Sequence, residues 1–125
     1  MNKIIVVLCL IAVVAFAKRD GASCERSIKM KYGETYHGNT INATNSSITC
    51  DTYKYSPNGM WYRLVGEGTD VVVETCDQRT NFDTVIFVMD SCQQEGGYND
   101  RCVAYNDDGC NKRQSRVTFH AKNGY

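Results

Sequence analysis

The chain has 125 residues, which suits one domain with a modest core. Its charge is balanced, with 14 Lys and Arg against 14 Asp and Glu, so no basic excess predicts nucleic acid or acidic lipid as a partner. Seven cysteines in so short a chain indicate a disulfide framework.

Residues 1–17 predict a secretory signal peptide. Lys3 precedes an uncharged apolar run, and the small residues Ala15 and Ala17 occupy the positions typical of cleavage. The run is shorter than the roughly 20 apolar residues that a membrane helix needs. We therefore expect cleavage after Ala17, a single secreted domain over residues 18–125 and no membrane span in the mature protein. An uncleaved anchor is the alternative.

A stretch rich in Ser, Thr and Asn, residues 39–47, predicts a surface loop. It contains two adjacent sequons, Asn42-Ala43-Thr44 and Asn45-Ser46-Ser47. In an exported chain this motif indicates N-glycosylation, so Asn42 and Asn45 are the expected glycan sites.

The rest of the mature chain predicts short strands and no helix. Windows rich in β-branched and aromatic residues alternate apolar with polar positions or form short apolar runs, and turn residues separate them. The predicted strands are residues 28–32, 35–37, 60–66, 70–76, 83–92, 101–106 and 115–121. This pattern predicts an all-β fold, an antiparallel β-sandwich or barrel.

Six of the seven cysteines follow the signal, an even set that predicts three disulfides in a secreted chain. Six cysteines allow 15 pairings, and their spacing alone does not choose among them. Structural zinc is the alternative, but the chain has no Cys-x-x-Cys pair and its two histidines are isolated.

The segment 102–110, "CVAYNDDGC", contains two carboxyl groups that could in principle act in acid–base catalysis. Asp107 and Asp108 are neighbours, so on a strand their side chains would point to opposite faces, and in a turn they would be solvated. Acid–base catalysis needs two carboxyl groups converging in a cleft. His37 and His120 are expected at the surface. We therefore expect no catalytic residue and no enzymatic activity.

Calcium is a further hypothesis for this segment. Hard cations take oxygen ligands from Asp and Asn on loops, and the candidate ligands are Asp83, Asn106, Asp107 and Asp108. Asp77 could add another oxygen. The alternative, which we favour, is a turn whose side chains bond to backbone amides. No other cofactor is expected.

The aromatic residues suggest a ligand face. Tyr53 and Tyr55 lie in the polar segment "DTYKYS", so we expect them to be exposed and available to a ligand. Trp61, within an apolar window, is expected in the core.

Four phrases of the sequence, taken in order, resemble a family of extracellular repeats. They are "NGMWYRLVGEGTDVVVETC", "NFDTVIFVMDSC", "RCVAYNDDGC" and "QSRVTFHA". Together they are similar to the bacterial pre-peptidase C-terminal domain and to the cysteine-rich surface repeats built like it.

This resemblance implies a jelly-roll-like sandwich without a catalytic centre, appended in bacteria to secreted peptidases and in some related cases binding collagen or polysaccharide. It implies the disulfides Cys24–Cys50, Cys76–Cys110 and Cys92–Cys102. The family continues with a last strand that this chain lacks, so we expect the domain to be incomplete at its C-terminal end.

The expected function is extracellular recognition or adhesion by a secreted, non-catalytic module, with a glycan or protein as ligand. One alternative is an accessory domain of a secreted peptidase or other hydrolase whose catalytic part lies outside this chain. Another is a small exported inhibitor or defence protein. The sequence does not predict an oligomeric state.

Overall fold

A computed structural model describes residues 20–41, 43, 45, 48–51, 53–55, 58–92 and 101–124 of the chain. The predicted signal peptide and the sequon residue Asn42 lie outside these residues. Within them no helix is long and apolar enough to cross a membrane.

The described residues form eight strands and no helix. In chain order the strands are β1 (Ile28–Lys29), β2 (Ile48–Cys50), β3 (Tyr53–Tyr55), β4 (Tyr62–Arg63), β5 (Thr69–Glu74), β6 (Val85–Met89), β7 (Cys102–Asp107) and β8 (Arg116–Ala121). The all-β, disulfide-stabilised class predicted from the sequence is confirmed.

The strands pair as four two-stranded ribbons, β1–β4, β2–β3, β5–β8 and β6–β7. The first ribbon is parallel and the other three are antiparallel. Because each described sheet has two strands, the jelly-roll order of strands remains a prediction.

The β5–β8 ribbon shows why alternation decides which side chains are buried. Val71 of β5 and Val117 and Ala121 of β8 are buried on its inner face. The outer face carries charged cross-strand pairs, with Asp70 opposite His120 and Glu74 opposite Arg116. Strand side chains point to alternate faces, so one ribbon supplies both a core face and a solvated face.

The β2–β3 hairpin differs from the sequence prediction, which placed Tyr53 and Tyr55 in or near loops. Both tyrosines lie in β3, where Tyr53 pairs with Cys50 and Tyr55 with Ile48. Asp51, between the strands, has φ of 56°, a left-handed conformation that Asp tolerates in tight turns. Strands of three residues are too short for alternation to reveal them.

The predicted strand at residues 35–37 is not formed.

The disulfides are Cys24–Cys92, Cys50–Cys102 and Cys76–Cys110, with Cα–Cα distances of 5.5, 5.3 and 6.1 Å. The pair Cys76–Cys110 is the one that the resemblance implied.

The other two implied pairs, Cys24–Cys50 and Cys92–Cys102, are wrong. The register of the β6–β7 ribbon places Cys102 opposite Met89, so Cys92 lies beyond the end of the pairing. Cys102 instead meets Cys50 at the end of β2, because β2 packs against β7.

Candidate functional site

The loop between β5 and β6 is fixed to the start of β8 by a network of hydroxyl groups. Thr75 Oγ1 and Thr84 Oγ1 lie 2.6 Å apart, and both accept from the backbone N–H of Ser115, at 3.0 and 3.2 Å. The Ser115 hydroxyl donates to the Thr84 carbonyl. Thr84 and Ser115 are buried. With Cys76–Cys110 alongside, this network brings the ends of β5, β6 and β8 together.

The segment Asn106–Gly109 turns the chain at the end of β7. The Asn106 Oδ1 accepts a hydrogen bond of 2.9 Å from the backbone N–H of Arg116, and Asp108 has φ of 66°. A Cβ atom on Gly109 would lie 2.6 Å from the Arg116 nitrogen and would also collide with the Asn106 side-chain oxygen. Gly109 is therefore required by close backbone approach, and Asn106 serves the turn.

The turn places Asp107 and Asp108 beside Asp83, which lies just before β6. One carboxylate oxygen from each of the three residues lies within 4.8 Å of the others, and all three side chains are exposed. Three of the four residues named as candidate calcium ligands thus lie close together, and calcium binding stays a prediction. The fourth, Asn106, has its side-chain oxygen engaged by Arg116. Asp77 instead forms an ion pair with Arg79 at 2.8 Å.

Like charges lie close together in this acidic cluster, defined as Asp83, Asp107 and Asp108. The pKa of Asp107 is raised, first by desolvation and then by the charges of Asp108 and Asp83. No ion pair formed within the described residues neutralises any of the three carboxylates. Three carboxylates can supply about half of the six to eight oxygens that Ca²⁺ takes.

An exposed apolar strip borders the acidic cluster on the same ribbon. Phe87 and Tyr105 are register partners whose rings stack with centroids 6.3 Å apart and an interplanar angle of 21°. Val85, paired with Asp107, is 36% exposed, Tyr105 is 36% exposed and Val103 is 48% exposed. We call these four side chains the β6–β7 face: Val85, Phe87, Val103 and Tyr105.

Phe87 and Tyr105 were not among the site residues predicted from the sequence. The sequence of β7 nevertheless indicates which of its residues are exposed. By strand alternation, Val103 and Tyr105 share a face with Asp107, and Ala104 and Asn106 lie on the opposite face. A charged residue in phase with Tyr105 indicates that its face is solvated. For Phe87 the run "VIFVM" offers no polar residue that would distinguish its two faces.

Other predicted site residues lie away from this face or outside the described part. For Tyr53 and Tyr55 the structure describes the backbone in β3 but not the side chains, so their ligand role stays a prediction. Asn45 is exposed and forms an isolated bridge with Asn58. His120 is exposed, and its Nδ1 lies 2.9 Å from the Asp70 Oδ1.

Comparison with known proteins adds no identification. No protein family, no curated protein and no solved structure matches this chain. The resemblance to the pre-peptidase C-terminal domain therefore stays a prediction.

Proposed function

We propose that the protein is a secreted, non-catalytic module that recognises an extracellular glycan or protein through the β6–β7 face. The observation that carries this proposal is the stacked pair of half-buried Phe87 and exposed Tyr105, flanked by the exposed side chains of Val85 and Val103. Exposed apolar side chains grouped in one patch are typical of interaction sites, and tyrosine is enriched where binding energy concentrates.

The chemistry of this face suits both ligand classes. An aromatic ring stacks on the apolar face of a sugar or packs into a pocket of a protein, while its hydroxyl group remains hydrogen-bonded. The acidic cluster lies at the Val85 end, through Asp107, and provides carboxylate acceptors beside the rings. A ligand that contacts both features would combine apolar burial with polar orientation.

Secretion is supported by two independent features. The N-terminal sequence has the pattern of a signal peptide. Three disulfides cross-link the described part of the chain, and disulfides form and persist in oxidising compartments such as the extracellular space.

The proposal assigns no catalytic role. The hydroxyl groups of Thr75, Thr84 and Ser115 are hydrogen-bonded to one another and to backbone, which suits structural groups rather than nucleophiles. The three carboxylates of the acidic cluster are exposed, whereas general acid catalysis relies on a carboxyl group held in an apolar pocket.

Screening the purified, oxidised protein against a glycan array and a panel of immobilised extracellular-matrix proteins tests the proposal. We expect at least one ligand whose binding is lost in Tyr105→Ala. The matched control is Tyr32→Ala, because Tyr32 is 40% exposed and lies outside the β6–β7 face. A ligand bound equally by both variants would place recognition elsewhere, and the absence of any ligand would contradict the proposal.

A further inference from the structure

An open cleft lies at the β1–β4 ribbon and shares no residue with the β6–β7 face. Its volume is about 400 Å³, within the range of about 300–1,000 Å³ typical of small-molecule sites. Its lining consists of Asp20, Arg26, Ser27, Ile28, Lys29 and Arg63. Three of these residues are cationic and one is anionic, so the cleft carries a local positive charge although the chain as a whole is balanced.

The strand register places two of the cations side by side. Lys29 of β1 is the partner of Arg63 of β4, so both side chains project from the same face of the ribbon. Both are exposed, and neither takes part in an ion pair formed within the described residues. Like charges directly opposite each other on neighbouring strands are destabilising. An anion bound between Lys29 and Arg63 would relieve this repulsion.

Main-chain hydrogen bonds hold the backbone that carries the cations. The Met30 N–H donates to the Arg63 carbonyl at 2.8 Å, which fixes the end of β1 against β4. The Gly21 N–H donates to the Arg26 carbonyl at 2.7 Å, which fixes the turn before β1. Because the backbone is already ordered, binding would cost little main-chain entropy.

The two arginine side chains are placed to donate into the cleft. The Arg63 Nη1 donates to the Ser27 carbonyl at 3.3 Å, and a guanidinium has five N–H groups, so this bond leaves further donors for a ligand. The Arg26 Nη2 lies 3.6 Å from the Asp20 Oδ1, and the Asp20 side chain is 87% exposed. A long, solvated ion pair of this kind neutralises Arg26 only weakly.

We propose that this cleft binds a sulfate group of a sulfated extracellular glycan. Arg and Lys form charge-assisted hydrogen bonds with the oxygens of such a group, and the planar guanidinium of Arg can bind two of them at once. A single sulfate group requires only the local charge of the cleft, whereas nucleic acid or an acidic membrane favours a basic excess that the chain lacks. The choice of an extracellular anion rests on the proposed secretion, and the site itself is separate from the β6–β7 face.

Titration of the purified, oxidised protein with a heparin hexasaccharide at low ionic strength tests this inference. The control ligand is the same hexasaccharide after complete desulfation, which keeps the carboxylates and removes the sulfate groups. We expect the sulfated hexasaccharide to bind, the desulfated one not to bind, and added salt to weaken the complex.

A matched pair of lysine variants locates the binding site. Lys29→Gln should weaken binding of the sulfated hexasaccharide about fivefold or more, because a charge-assisted hydrogen bond is lost. Lys122→Gln removes the same charge at an exposed residue outside the lining and should bind as wild type. Arg63→Lys keeps the charge but loses the paired donors, so it should also weaken binding.

Three results overturn the inference: no binding of the sulfated hexasaccharide, equal binding of the desulfated one, or equal losses in Lys29→Gln and Lys122→Gln. Vesicles of phosphatidylcholine and phosphatidylserine provide a further arm. Binding to these vesicles that depends on Lys29, without binding to the hexasaccharide, would assign the cleft to a membrane and also overturn the inference.

Tyr105→Ala separates this inference from the proposed function. This variant should bind the hexasaccharide as wild type, since Tyr105 does not line the cleft. If the cleft fails its test, the proposed function stands as long as an array ligand depends on Tyr105. If hexasaccharide binding is lost in Tyr105→Ala and kept in Lys29→Gln, the sulfate site in the cleft is refuted and the β6–β7 face is supported.

Discussion

Asn106 and Arg116 are joined by a hydrogen bond in which the Arg116 backbone N–H donates to the Asn106 Oδ1 across 2.9 Å. This bond closes the turn that presents Asp107 and Asp108. Replacing Asn106 with alanine removes the acceptor, and we expect the free energy of unfolding to fall by about 1–2 kcal/mol in urea denaturation.

The control for this substitution is Asn81→Ala, at an exposed residue outside the strands, which should change the free energy of unfolding by less than about 0.5 kcal/mol. Equal effects of the two substitutions would show that the Asn106 side chain does not support the turn.

The buried hydroxyl network should be sensitive to loss of one member. Thr84→Val keeps the shape of the side chain but leaves Thr75 Oγ1 and the Ser115 N–H with fewer partners. We expect a loss of about 1–3 kcal/mol in the free energy of unfolding, measured by urea denaturation. Thr118→Val, on the exposed face of β8, should be close to neutral. A neutral Thr84→Val would contradict the structural role of the network.

The longer strands could be predicted from the local sequence pattern, whereas the shortest strands could not. β5, β7 and β8 each have six residues in which alternation is regular, so their positions are readable from the sequence. β2 and β3 have three residues each, and no period can be recognised over that length. Disulfide pairing depends on register, and a bulge beside Met89 sets the register of Cys102.

Peptide mapping under non-reducing conditions tests the pairing. Trypsin separates Cys24, Cys50, Cys76 and Cys92, but leaves Cys102 and Cys110 on one peptide because no Lys or Arg lies between them. A second cleavage before aspartate resolves these two. We expect Cys24 linked to Cys92, Cys50 to Cys102 and Cys76 to Cys110. A link between Cys24 and Cys50 would refute the register described here.

The pair Asp77 and Arg79 predicts an acid-sensitive contribution to stability. Hydrogen bonds from the Arg79 side chain and backbone N–H hold the pKa of Asp77 well below its usual value of 3.8. The folded state therefore binds fewer protons than the unfolded state, and the contribution is present above pH 3.8 and lost as pH falls through the folded pKa.

The variant Asp77→Asn measures this effect. Across acid titrations followed by urea denaturation, wild type should lose its stability advantage over the variant as pH falls below about 4. A difference between the two proteins that does not vary with pH would rule out the ionised carboxylate as its source.

In the acidic cluster, ionisation of Asp107 is expected to lower the stability of the folded state, whereas ionisation of Asp77 raises it. The pKa of Asp107 is raised, so its ionisation opposes folding, and this cost is absent below the usual aspartate pKa and complete above the folded pKa. In EDTA, Asp107→Asn should therefore be more stable than wild type at neutral pH, and the difference should vanish on acidification. Thermal unfolding across a pH series checks this.

If the acidic cluster binds calcium, thermal unfolding in the presence of Ca²⁺ should give a different result from thermal unfolding in EDTA. With millimolar Ca²⁺ it predicts a higher unfolding temperature for wild type and no increase for Asp107→Asn, because bound ligand stabilises the folded state. An unfolding temperature of wild type that is unchanged by Ca²⁺ would leave the cluster as a solvated end of the turn.

The candidate site was predictable in part. Asp83, Asp107 and Asp108 were named from residue chemistry, since carboxylates at the ends of neighbouring strands tend to converge. The partner of Asn106 was not predictable, because it depends on where β8 begins relative to the turn. The β6–β7 face arises from the register that sets Phe87 opposite Tyr105, a relationship between residues far apart in the chain.

The most direct measurement of the central claim is the dissociation constant of an array-identified ligand for wild type, Tyr105→Ala and Tyr32→Ala, by titration calorimetry. If the β6–β7 face binds the ligand, Tyr105→Ala should weaken binding about tenfold or more, and Tyr32→Ala should match wild type. Equal dissociation constants for wild type and Tyr105→Ala would contradict the assignment of recognition to this face.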